Sequence, residues 1–115
     1  EDWLQKYNQI DAIISMNDAM ALGALEAAKA VGREGEMTSY GVDGLADACL
    51  SIKDGELTAT CVQNAYAQAE ASLDICDRVL KGEIDKETKL VDGELIDSSN
   101  VDEWIKVHTE NGQIK

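Results

Sequence analysis

Three planar polar side chains, Asn17, Asp43 and Gln63, each follow directly on a stretch that reads as a β-strand. Two carboxamides and one carboxylate at such positions are suited to non-covalent recognition. In open parallel sheets, ligands bind outside the carboxyl ends of the strands. Each residue also has a plainer reading. Asn17 can be simply the residue before a helix cap, Asp43 before Gly44 a turn or helix cap, and Gln63 a hinge residue serving backbone amides.

Covalent chemistry finds little support. His108 is the only histidine, stands near the C-terminal end and has no patterned Ser or Cys partner, so an acid-base or nucleophile triad is not indicated. Neither the dinucleotide glycine signature nor the Walker glycine pattern occurs, so no nucleotide cofactor is implied. Cys49, Cys61 and Cys76 are far apart, lack metal-ligand spacing and sit in apolar surroundings, which reads as buried thiols acting as small hydrophobes. Asp43 and Asp47, one helical turn apart, read as a solvated pair rather than a metal site. The chain reads as a binder, not an enzyme.

The elements that must hold the three residues follow from periodicity. Residues 1 to 9 finish a helix that stops near Asn8, with Trp3 as a packing residue. Ala12 to Met16 is a continuous apolar run, as expected of a strand buried on both faces. Asp18 is the expected N-cap of a helix over Ala19 to Val31, closed by Gly32. Its polar exceptions Glu26, Lys29 and Arg33 lie on one stripe, the only part expected to see water. Met37 to Val42 returns as a parallel strand, with Tyr40 in the core. A helix over Leu45 to Lys53 places Leu45, Ala48, Cys49 and Ile52 at core spacing, and Asp54-Gly55 is a turn. Glu56 to Val62 alternates like a strand, and Asn64 caps the longest helix, Ala65 to Lys81. That helix carries an apolar stripe of Tyr66, Ala69, Leu73, Cys76 and Leu80. A charged loop and short extended pieces near 89 to 91 and 94 to 96 lead to a last helix, Val101 to Val107, capped by Asp97, Ser98 or Ser99. Trp104 lies on its buried side.

The chain has 115 residues, with 23 acidic against 10 basic, for a net charge of −13. Such a charge repels nucleic acid and anionic membrane surfaces. No apolar run approaches the length of a membrane span.

The ordered set NDAMALGALEAAKA after a strand, YGVDG at the end of the next, IKDGELTATCVQN, and a helix ending in VLKGE resembles the sugar-binding proteins of bacterial ABC transporters. The class is that of the ribose-, galactose- and glucose-binding proteins. The tail LVDGELIDSSNVDEW resembles the family's closing segment more loosely. The resemblance implies an α/β fold of the type I periplasmic binding protein class, with Rossmann-like three-layer lobes around a cleft, no cofactor and no metal. It implies a monosaccharide or similar small polyol as ligand and an ABC permease as partner. It also implies an extracytoplasmic location, in the periplasm or anchored at the cell surface as a lipoprotein. Asn17, Asp43 and Gln63 match sugar-contacting positions of the family, where the third varies between amides. Planar amides and carboxylates hydrogen bond in pairs to neighbouring hydroxyls, which suits such a ligand.

By the same resemblance, residues 1 to 63 belong to the second lobe, 64 to about 92 to the first, and 93 to 115 return to the second. The chain then reads as a C-terminal portion of a longer protein. The apolar stripe of helix 65 to 81 needs the missing N-terminal part of the same protein, or self-association, to cover it. The rival reading is the effector-binding domain of a lac-repressor-type regulator, which shares the ND-x-MA-x-GA stretch. Such regulators usually carry a proline soon after the segment matching GVDG, and this chain has none.

Overall fold

A computed structural model describes residues 1–115 throughout and separates them into two compact units, Glu1–Val62 with Leu95–Lys115, and Gln63–Glu94. The first holds helices α1 (Asp2–Lys6), α2 (Asp18–Ala30), α3 (Ala46–Lys53) and α5 (Val101–Glu110), and strands β1 (Ala12–Ile14), β2 (Thr38–Tyr40), β3 (Ala59–Val62) and β4 (Glu94–Asp97), whose first residue marks the boundary. The second is built around α4 (Ala65–Leu80).

The sheet runs in the order β1-β2-β3-β4. β1 and β2 are parallel, with Ala12, Ile13 and Ile14 opposite Thr38, Ser39 and Tyr40; β2 and β3 are parallel through Tyr40 and Ala59. Parallel neighbours need crossovers, and α2 and α3 are those connections. The core lies where α2, α3 and α5 meet β3 and β4. Ala21, Leu25, Ala48, Cys49, Ile52, Leu57, Ile96 and Val101 are buried together, with Leu22, Val62, Trp104 and Ile105 packed against them. Removing each large aliphatic side chain here from water stabilises the unit by ~1.5–3 kcal/mol.

The strands are shorter than their apolar patterns. β1 is an edge strand, not one covered on both faces, and Ile14 is 84% exposed. Met20, Ala19 and Gly23 of α2 also reach solvent, so water meets more of that helix than the Glu26 and Lys29 stripe. Arg33 is not on an open face: its guanidinium donates to the carbonyls of Leu4 at 2.7 Å, Tyr7 at 2.9 Å and Asn8 at 3.1 Å, and pairs with Glu36 at 2.7 Å. It thereby serves the carbonyls left unpaired at the end of α1. That helix ends at Tyr7, and Trp3 on it is exposed. Tyr40 lies at the surface rather than in the core, and Leu45 is the exposed cap residue of α3 rather than a core position. Cys49 is buried and Cys61 half-buried, but Cys76 is exposed.

In the second unit, Asn64 adopts a left-handed conformation (φ 51°, ψ 58°) and its Oδ1 accepts from Ala67 N at 3.2 Å, the expected cap. Only Ala71 of α4 is buried; Tyr66, Ala69, Leu73, Cys76 and Leu80 all face solvent. Residues 89–91 form no strand. An ion pair of Arg78 with Glu87 at 2.6 Å ties the following loop to the helix.

Candidate binding rim and the frame that holds it

The carboxyl ends of β1 and β2 meet at one point. Asp18 N donates to Val42 O at 2.8 Å, which joins the residue after Asn17 to the residue before Asp43. Asn17 and Asp43 are therefore neighbours at one rim.

Asn17, rather than Asp18, is the N-cap of α2: its backbone is extended and its Oδ1 accepts from Met20 N at 2.8 Å. Both residue types cap well, and sequence leaves the choice open by one position. The cap uses only the oxygen of Asn17. Its half-buried carboxamide keeps Nδ2 without a partner in the protein.

Asp18, one position on, has turned inward and is fully buried. Its Oδ1 accepts from Thr60 Oγ1 at 2.5 Å and its Oδ2 from Leu45 N at 2.8 Å. A carboxylate out of water needs such charge-assisted donors. Gly41 makes room for it, since a Cβ there would overlap Asp18 Oδ1. The Cys49 thiol is pushed up to about 11, first by burial and then by the charge of Asp18.

The loop carrying Asp43 is held at almost every backbone polar atom. Val42 O accepts from Asp18 N, Asp43 N donates to Cys61 O at 2.9 Å, Gly44 N donates to Thr60 Oγ1 at 3.2 Å, and Leu45 N donates to Asp18 Oδ2. Gly44 O faces Nε2 of His108 at 2.9 Å. Inside this frame Asp43 has φ 123°, sparsely populated for a residue with a side chain, and Gly44 follows at φ 72°. A conformation of that kind costs about 1–3 kcal/mol and persists only where its surroundings over-determine it. Gly44 is also required sterically: a Cβ would run into Val62 Cγ2 and come within 3.2 Å of Ile96 Cδ1.

His108, though near the C-terminal end, is buried on α5, with Nδ1 2.6 Å from Gln113 Oε1. A signal for it existed, because Val101, Trp104, Ile105 and His108 continue one helical stripe. The entry to α5 is built by side chains, though not as a cap. Asp97 Oδ1 accepts from Ser99 N at 2.8 Å and Ser99 Oγ at 2.6 Å, while the N-cap Asn100 spends its carboxamide on Asp97 N and Leu95 O. The two Ser99 bonds hold the Asp97 carboxyl below its ordinary range.

Gln63 is the first residue of the second unit and is exposed; its carbonyl accepts from Gln68 Nε2 at 2.5 Å. The structure brings Asn17 and Asp43 together within one unit and carries Gln63 in the other. No group of three or more His, Cys, Asp or Glu is arranged to hold a metal, and no helix is long and apolar enough to cross a membrane.

The family described as periplasmic binding protein domain matches residues 1–84. The chain belongs to that family. It is 35% identical over 103 residues to the xylitol-binding protein of Mycolicibacterium smegmatis, a match covering 89% of this chain and 29% of that protein. It is 36% identical over 83 residues to the ribose import binding protein of Salmonella typhimurium, covering 72% of this chain and 28% of that one. An ABC transporter solute binding protein from Bacillus halodurans, solved with bound myo-inositol, superposes with a TM-score of 0.80 at 33% identity, over 91% of this chain and 36% of that chain. The fold is thus that of the type I periplasmic binding proteins, and the chain spans about a third of the length of the relatives it matches.

Proposed function

We propose that these residues are part of a two-lobed solute-binding protein of an ABC importer, which takes up a monosaccharide or similar small polyol and delivers it to the permease. The observation that carries the reading is Asp43, its backbone fixed at φ 123° by a loop bonded at almost every polar atom, beside the Asn17 carboxamide. Storing strain in a rim residue is useful when a ligand must find two oxygens already oriented. Xylitol, ribose and myo-inositol, named for the relatives, share neighbouring hydroxyls that a planar carboxylate and a carboxamide can each grip in pairs. Asn17 and Asp43 are ligand contacts of one lobe, and Gln63 contributes an amide where the chain passes to the other.

In this reading Glu1–Val62 and Leu95–Lys115 belong to one lobe and Gln63–Glu94 to the other. Ligand affinity that differs between open and closed lobes shifts the population toward the closed form, which docks on the permease. The site of action is extracytoplasmic, in the periplasm or on a lipid anchor. The exposed stripe of α4 is covered by the rest of the first lobe.

The test is a thermal-shift scan of the two-lobed protein with pentoses, hexoses, linear polyols and cyclitols, with Asp43→Ala as control. Stabilisation by one compound that disappears in Asp43→Ala is the expected result. A shift that survives the substitution, or no shift with any compound, contradicts the reading.

A further inference from the structure

The loop that presents Asp43 receives bonds from two elements, α2 and β3, and from a third, α5, much further along the chain. Asp18 at the start of α2 and Thr60 and Cys61 on β3 hold its amide groups and the Val42 carbonyl. The Gly44 carbonyl, in the second peptide after the strained residue, is met by His108, 64 positions further along the chain. A carbonyl can only accept, so Nε2 carries the hydrogen. Gln113, in the turn after α5, meets the other ring nitrogen, with its carboxamide turned so that the amide N–H donates to Nδ1, and so holds the plane of the ring. The two ring nitrogens of His108 meet Gly44 and Gln113, neither of which is a proposed ligand contact.

We propose that His108 is a positioning residue for ligand binding: through the Gly44 carbonyl it fixes the orientation of Asp43, so that the docking of the C-terminal helix sets the affinity of the rim. This rests on the reading of Asp43 as a ligand contact. The Gly44–Leu45 peptide is held at its amide by Asp18 and at its carbonyl by His108, so it turns only by breaking both bonds, and the His108 bond is the second clamp on the plane that follows Asp43 and Gly44. Gly44, at φ 72° without a side chain, is the residue about which that rotation is easiest. The ring is buried, and it lies on the helix whose Val101, Trp104 and Ile105 pack into the core, so its position follows the packing of α5.

The experiment compares the two-lobed protein with its His108→Gln, His108→Leu and Asp43→Ala variants, titrating xylitol, ribose, galactose and myo-inositol by calorimetry and recording the melting temperature of each. Glutamine keeps an N–H near the place of Nε2; leucine fills space without a donor. For whichever sugar binds the parent, His108→Leu is expected to weaken affinity roughly tenfold, about one lost hydrogen bond's worth, and His108→Gln to restore most of it. Equal affinity in the leucine variant and the parent overturns the proposal. So does an equal loss in both His108 variants that follows their melting temperatures, because that is the signature of packing alone. Unchanged affinity in Asp43→Ala, or no binding by the parent, overturns the underlying reading and the proposal with it. Loss in Asp43→Ala beside parental affinity in both His108 variants overturns the proposal alone.

Discussion

The Val42–Leu45 loop and helix α4 solve opposite problems. The loop is short, irregular and strained, yet almost all its backbone polar groups are paired, and its neighbours Asp18, Thr60 and His108 are all buried. α4 is the longest regular element in the chain, with a proper cap and its own backbone bonds, yet its apolar stripe stands in water, Tyr66 at 82% and Leu80 at 88%. Regularity and rigidity are therefore separable. A helix satisfies its own backbone wherever it is, but its stability in a protein comes mostly from burying a face. An irregular segment can be the more fixed of the two when several elements converge on it.

Three substitutions or conditions sharpen the contrast, from large effect to small. Asp18→Ala strips the acceptor from Thr60 Oγ1 and Leu45 N in the interior, and is expected to cost about 3 kcal/mol in chemical denaturation and to weaken ligand binding as well. A loss below about 1 kcal/mol would mean that water or a shifted Thr60 replaces the carboxylate, and that the frame is looser than drawn.

The cysteines give the second contrast. The Cys49 thiol, raised to about 11 from an ordinary 9.0, stays protonated in the folded state while it ionises in the unfolded chain. Its contribution to stability is complete below pH 9 and lost as pH rises from there through 11. At pH 8, iodoacetamide is expected to modify Cys76 rapidly and Cys49 only on unfolding, read by mass spectrometry of the two peptides. Comparable rates at both sites would contradict the burial of Cys49. Should the rest of its own lobe cover α4 in the two-lobed protein, Cys76 slows there and Cys49 does not change.

The smallest effect belongs to α4. Leu73→Ala in the 115-residue chain alone is expected to change stability by less than about 0.5 kcal/mol, because the side chain has little burial to lose. The same change in the two-lobed protein is expected to cost about 2–5 kcal/mol, the range for a buried leucine. Equal small effects in both would mean that nothing covers the stripe.

Element order was legible in the sequence because it rests on local signals: the apolar run at 12–16, the helix formers after Asn17, Asp54-Gly55, and the cap at Asn64. The placement of Asn17 and Asp43 directly after the first two strands was legible too. What was not legible depends on contacts between distant residues. The bond between Thr60 and Asp18 spans 42 positions and that between His108 and Gly44 spans 64, and no local pattern announces either. Asn17 and Asp18 are equivalent as caps until one knows that a carboxylate is wanted beneath Gly41 by Thr60 and Leu45. The exposure of Ile14 and Met20 was missed for a related reason, since an apolar pattern says that a face seeks cover and not that cover is present.

Native-state hydrogen exchange tests the central contrast most directly. The amides of Asp43, Gly44 and Leu45 should exchange as slowly as those of the α2 and α3 core, while amides along α4 in the 115-residue chain exchange by local opening, far faster. Exchange of the loop amides at the rate of α4 would contradict the account, because Asp43 would then be a mobile residue and not one held ready for a ligand.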